Sequence, residues 1–169
     1  MEIEKADPAE LAALREAFGE GEGASPLGWA GVREFEERHG VVLPEPYRTL
    51  VAEIADGSFQ GPPEYGWAGL AESAGGQRPA EPFPLTGMWV WEDDGGYEDP
   101  GAVIERVAHD GSLNLGTDGC GMDWHLVVTG PQRGRVWLVT GEGAMPYGGP
   151  GFGDWVRRWA AGEEWFSGE

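Results

Sequence analysis

Asp123-Trp124-His125-Leu126-Val127-Val128-Thr129-Gly130-Pro131-Gln132-Arg133-Gly134-Arg135-Val136-Trp137-Leu138-Val139-Thr140 is the stretch that decides the fold. Two runs rich in β-branched and aromatic residues flank a five-residue loop that contains Gly130, Pro131 and Gly134, which predicts strands at 123–129 and 135–140 joined as a hairpin at 130–134. Further strand signals lie upstream at 112–115 and 88–91. Between strands, Gly116-Thr117-Asp118-Gly119-Cys120-Gly121 reads as a sharp turn, its glycines serving backbone geometry. Downstream, Phe152, Trp155, Val156 and Trp159 form one stripe of an amphipathic helix.

The N-terminal third changes period to helical. Asp7 suits an N-cap, Pro8 the first helical position and Glu10 a capping box, with Leu11, Leu14 and Phe18 on one face and Gly19 at the stop. Residues 19–28, with Glu20 and Glu22, read as a loop. A second helix is expected to bury Val32 and Phe35, to turn Glu34, Glu36, Glu37 and Arg38 to water, and to end at Gly40. A third is expected over 44–56, with Tyr47, Leu50, Val51 and Ile54 inward. Residues 71–84 show no clear period, and the acidic insert 92–100 is expected to be exposed. Helices, an antiparallel meander and a closing helix make an α+β domain, helices packed against a mainly antiparallel sheet, in one domain over 1–169.

Composition narrows the class. Thirty of 169 residues are glycine, about 18% against a usual ~7%. With no Gly-X-Y period and nine tryptophans, this is neither collagen nor a disordered chain but a turn-rich globular one. Thirty acidic against eleven basic residues leave a net charge of −19. That field repels nucleic acid and anionic membrane and attracts basic partners; Arg133, Arg135, Arg157 and Arg158 are too few for a phosphate track. Cys120 is the single cysteine, so no intrachain disulfide forms. The start Met1-Glu2-Ile3-Glu4-Lys5-Ala6-Asp7 has no basic and apolar leader pattern, and a cytoplasmic location is the expectation.

No catalytic signature emerges. Gly57-Ser58-Phe59-Gln60-Gly61 places its serine one position early for a nucleophile elbow. Cys120 and His125 lack a second ligand pair for zinc, and Glu92-Asp93-Asp94 with Glu98-Asp99 lacks the calcium-loop spacing, so no metal or cofactor is expected. The glycine strings have no lysine and open no helix, which argues against phosphate binding. Trp67, Trp89 and Trp91, beside glycine-rich loops, are candidates for a recognition surface, with core packing as the default for tryptophan.

Three ordered segments together resemble the SUKH superfamily, which contains a fungal cell-wall-synthesis regulator and many bacterial toxin-immunity proteins. The first is 32–66, with Phe35-Glu36-Glu37-Arg38-His39-Gly40, then Leu43-Pro44-Glu45-Pro46-Tyr47 and Gly61-Pro62-Pro63-Glu64-Tyr65-Gly66. The second is Leu113-Asn114-Leu115-Gly116-Thr117-Asp118-Gly119-Cys120-Gly121 running into Trp124. The third is Gly130-Pro131-Gln132-Arg133-Gly134-Arg135-Val136-Trp137 with the helix at 152–159. The shared pattern covers about 26–160, leaving 71–111 as a variable insert; Pro46 departs from it, standing where members usually carry an acidic residue before the tyrosine.

The resemblance implies an α+β fold with a binding cleft and no established catalytic activity, and it places Tyr65, Trp67, Asp118, Gly119 and Cys120 near that cleft. The expected function is a protein-binding module, an immunity protein that occludes a cognate toxin. The partner is a toxin, such as a nuclease with a cationic cleft, or another basic-faced protein, met through acidic surface including Glu92, Asp93 and Asp94. The alternatives are a regulator of cell-envelope synthesis and an enzyme using Asp118 or Glu142 as a base in the same cleft.

Overall fold

The sheet grows outward from the hairpin at its centre. In the computed structural model, which describes residues 4–19 and 23–163, β3 (Asp123–Val127) pairs antiparallel with β4 (Val136–Val139), Trp124 opposite Leu138 and Leu126 opposite Val136. With β1 (Trp89–Val90), β2 (Ser112–Thr117) and β5 (Gly143–Pro146), it forms one antiparallel sheet in the order β1-β5-β4-β3-β2. Successive side chains on a strand point to opposite faces. Leu113, Leu115, Trp124, Leu126 and Val136 accordingly enter one buried cluster, while Val127, Trp137 and Ala144 enter a second.

Helices cover the first face: α1 (Pro8–Phe18), α2 (Trp29–His39), α3 (Tyr47–Thr49) and α6 (Phe152–Ala160). The Asp7 carboxylate caps α1 by accepting from Ala9 N at 2.9 Å, and Leu14 and Phe18 face inward. Residues 1–3 and the loop residues Glu20 and Glu22 lie outside the described residues.

The third helix is shorter than its sequence period predicts. It starts at Tyr47, not at residue 44, and continues from Leu50–Ile54 as a π-helix, with Ala55 N donating to Leu50 O at 2.9 Å. The Glu45 carboxylate caps its start, accepting from Thr49 N and Oγ1 at 2.9 Å each. Leu50, Val51, Ala52 and Ile54 are all buried, so this segment is wrapped by neighbours on most sides.

Glu36 corrects another expectation, since it is not solvated. Its carboxylate takes the Arg48 guanidinium through two bonds of 2.8 and 2.9 Å and also accepts from Leu43 N at 2.8 Å, tying α2 to α3. Glu34, Glu37 and Arg38 are exposed as expected.

The segment read as a variable insert completes the second layer. It contains α5 (Pro100–His109), which brings Val103 and Val107 into the cluster with Trp137 and Phe83, while α4 (Leu70–Ser73) straddles its start and buries Leu70 in the first cluster. Asp99 is the N-cap of α5, accepting from Ala102 N at 3.2 Å, so it is more than a solvated loop acid. Among the described residues no helix is long and apolar enough to cross a membrane.

Candidate functional site

Although β2 ends the sheet, its outer edge is covered by the chain at 65–68. Ala68 N donates to Leu115 O at 2.8 Å and Tyr65 N to Thr117 O at 3.4 Å. On its other side the same segment pairs with Ser58: Ser58 N to Trp67 O and Trp67 N to Ser58 O, each 2.9 Å. Glycine is obligatory where these backbones cross. A Cβ on Gly116 would stand 2.6 Å from Gly66 O, one on Gly66 would stand 2.3 Å from Ser58 O, and their φ values are +151° and +90°.

This arrangement leaves a cleft of about 550 Å³, within the usual range for a ligand site. Among the described residues its lining is five glycines and two alanines with Asp56, Ser58, Phe59, Tyr65, Trp67, Glu72 and Thr117. Phe59 is 100% and Tyr65 70% exposed, so both stand at the opening. Asp56 accepts from Leu70 N at 2.7 Å, which fixes the start of α4 and hence Glu72.

The five residues expected near the cleft divide into three groups. Tyr65 and Trp67 line it, but Trp67 is only 3% exposed, with its ring edge-on to Phe18 at 5.3 Å. It is a wall, not a protruding anchor. Trp89, also considered for a recognition surface, is likewise buried. Asp118 and Gly119 support the opening from behind: Asp118 accepts from Glu64 N at 2.8 Å and from Trp124 Nε1 at 2.7 Å, and a Cβ on Gly119 would sit 3.2 Å from the Tyr65 ring. Cys120 is exposed in the β2–β3 turn with φ +54°.

Asp118 is therefore a clamp between the 61–67 loop and the sheet, with both oxygens engaged, and is poorly disposed to act as a base. Glu142 lies in the β4–β5 turn, two hairpins away across the sheet. Neither Asp118 nor Glu142 is among the described residues that line the cleft.

Glu92, Asp93 and Asp94 are exposed, but the sheet order sets them apart from the cleft. Their loop leaves β1 at one edge, whereas the cleft borders β2 at the other, about 19 Å across four strand spacings. The Asp93 and Asp94 carboxylates accept from Gly95 N and Gly96 N at 3.0 and 2.9 Å. Val90↔Gly143, Val139↔Asp123 and Thr117↔Asp123 share one end of the sheet, so that acidic loop, Glu142 and Asp118 follow one rim.

His125 is buried on the second face, its Nδ1 3.1 Å from Ser112 Oγ, and burial holds its pKa down to about 4. Among the described residues no group of three His, Cys, Asp or Glu side chains is placed to hold a metal ion. The arginines have internal tasks: Arg133 donates to Val42 O and Glu4, Arg135 to Tyr147 O, and Arg157 and Arg158 pair with Asp154.

Sequence reasoning missed Phe59, Asp56 and Glu72. Phe59 lies inside Gly57-Ser58-Phe59-Gln60-Gly61, a large aromatic side chain between two glycines, which is the one signal of it in the sequence. It also missed a smaller groove of about 240 Å³ beside β1, lined by Met88, Val90, Leu138 and Met145 with Glu142.

These features define an α+β protein with an acidic, aromatic-rimmed cleft whose lining, among the described residues, contains no histidine, cysteine, lysine or arginine. The family is shown by sequence comparison: residues 30–158 match the model of the SMI1 / KNR4 family (SUKH-1), and the chain belongs to that family. No curated protein and no solved structure matches the chain.

Proposed function

We propose that the protein is a non-catalytic binding module of the immunity type, which recognises a cognate toxin with a basic face and occludes its working surface. The observation that carries this reading is the cleft itself: two exposed aromatics, Phe59 and Tyr65, stand at an opening lined by Asp56 and Glu72 in a chain of net charge −19. Aromatic residues at a concave site supply the anchors that dominate binding energy, and an acidic surround speeds encounter with a cationic partner. Family membership supports both an immunity and a regulatory role; the acidity favours immunity against a toxin that must itself be basic to hold nucleic acid.

The test is co-production with toxin domains encoded beside the gene, read by growth rescue and by complex formation. Association with the neutralised toxin should slow markedly as salt shrinks the Debye length from ~10 Å at 0.1 M to ~3 Å at 1 M, while dissociation changes less. Tyr65→Ala should weaken the complex by about 2 kcal/mol through a faster off-rate, with the melting temperature unchanged. Absence of rescue and of a complex would overturn the immunity reading.

A further inference from the structure

We propose that the outer edge of β1, with the apolar groove beside it, takes an extended basic segment of a partner protein as an added antiparallel strand. This surface lies at the opposite edge of the sheet from the cleft and does not depend on what the cleft binds.

The hydrogen-bonding phase of β1 decides which groups it offers. Backbone groups along a strand turn alternately to one side and the other. Trp91 N donates to Glu142 O at 2.9 Å, so Trp91 faces β5. Gly143, opposite Val90, turns instead to β4, its carbonyl accepting from Thr140 N at 2.8 Å. Met88 and Val90 therefore present their backbone groups outward. Val90 O takes Asp93 N at 3.0 Å, which leaves Val90 N and both Met88 groups for a partner. Among the described residues Met88 N and O make no backbone hydrogen bond, and a Cβ on the neighbouring Gly87 would meet nothing within 4 Å. The chain at 65–68 covers the edge of β2, whereas among the described residues no segment pairs with the outer side of β1. Such an edge is a template for another strand.

Side chains and charge specify that strand. Trp89 points into the second cluster, so Met88 and Val90 project to the first face, beside Leu138 and Met145, which pair across β4 and β5. Met88 is 62% and Val90 43% exposed, so the helices on that face stop short of β1. The groove of about 240 Å³ left there suits the small branched side chains of a strand. Glu142 lines it, and Glu92, Asp93 and Asp94 follow β1 directly. Among the described residues none of these four acids is in an ion pair. A second copy of a chain of net charge −19 would set like charges against each other here, whereas a basic segment meets them.

The test titrates the isotope-labelled protein with the peptide acetyl-Lys-Val-Thr-Val-Lys-amide. The Met88 and Val90 amide signals should move saturably and exchange more slowly with solvent, while Phe59 and Tyr65 stay unmoved. N-methylation of both valines, whose N–H groups would face β1, should abolish binding, and acetyl-Glu-Val-Thr-Val-Glu-amide should not bind. Val90→Pro removes an outward N–H and no bond to β5, so it should abolish binding with the melting temperature little changed. Met88→Ser, at an exposed position, should weaken binding about tenfold through lost apolar contact. Binding by the N-methylated peptide would make the groove an apolar ligand site, equal binding by the acidic peptide would remove charge as the selector, and shifts confined to Phe59 and Tyr65 would put the peptide in the cleft. Each overturns the proposal. So would Met88 and Val90 signals that move with protein concentration alone, which would give the edge to a second copy. No toxin enters this test, so its failure leaves the reading of the cleft standing.

Discussion

Asp118 receives two donors that arrive from different parts of the chain, Glu64 N and Trp124 Nε1. In sequence it is one acid among thirty, in a glycine-rich turn that suggests either a ligand loop or plain geometry. Its role follows from what it touches: one oxygen holds the 61–67 loop, the other the buried indole that anchors β3 in the core. Hydrogen bonds to a charged acceptor are stronger than neutral ones, and removing it strands both donors. Asp118→Ala should lower unfolding free energy by about 2 kcal/mol, measured in urea, and should increase hydrogen exchange at the Glu64 amide. Unchanged protection at Glu64 would show that the loop is held by other means.

At the scale of elements, α5 turns a half-covered sheet into one buried on both faces. Its start uses the same Asp-Pro grammar as α1: Asp99 and Pro100 correspond to Asp7 and Pro8, and Val103 and Val107 follow one turn apart. Those signals are legible in the sequence, but an acidic run ending in Asp99 reads equally as a solvated loop. Val107 is fully buried against the second face of the sheet. Val107→Ala should cost about 2 kcal/mol of stability, read from the urea midpoint, because it leaves a cavity that its neighbours only partly fill. If 71–111 were a dispensable insert, the same change would cost almost nothing.

For the molecule as a whole, the buried His125 links global stability to pH. Burial keeps it neutral in the folded protein down to about pH 4, while an unfolded chain protonates it near its ordinary 6.5; Asp123 opposes the shift and His109 reinforces it. Between those values the unfolded state binds more protons, so this contribution is complete above pH 6.5 and declines as pH falls toward 4. At pH 5 it amounts to about 2 kcal/mol less stability than at pH 7. Urea unfolding across that range checks it, and His125→Gln should flatten the slope. A His125 resonance that titrates near 6.5 in the folded state would remove its cause.

What the sequence determined by itself was everything carried by short-range periodicity and turn chemistry. The hairpin across 130–134, the inward stripe of Phe152, Trp155 and Val156, and the capped start of α1 are written within a few residues of where they act. The ordered motifs added the family and the expectation of a cleft beside the Gly-Pro-Pro loop. β5 was not legible, because Gly143–Pro146 has little strand character of its own and is held by register against β4. Tertiary structure alone decided that Glu36 turns inward to Arg48, that Trp67 is walled in by Phe18, and that Phe59, Asp56 and Glu72 meet around one cavity. The reason is physical: a local pattern sets which face a residue presents to its own element. Burial and pairing depend on partners tens of residues away, and only closure of the chain brings those into contact.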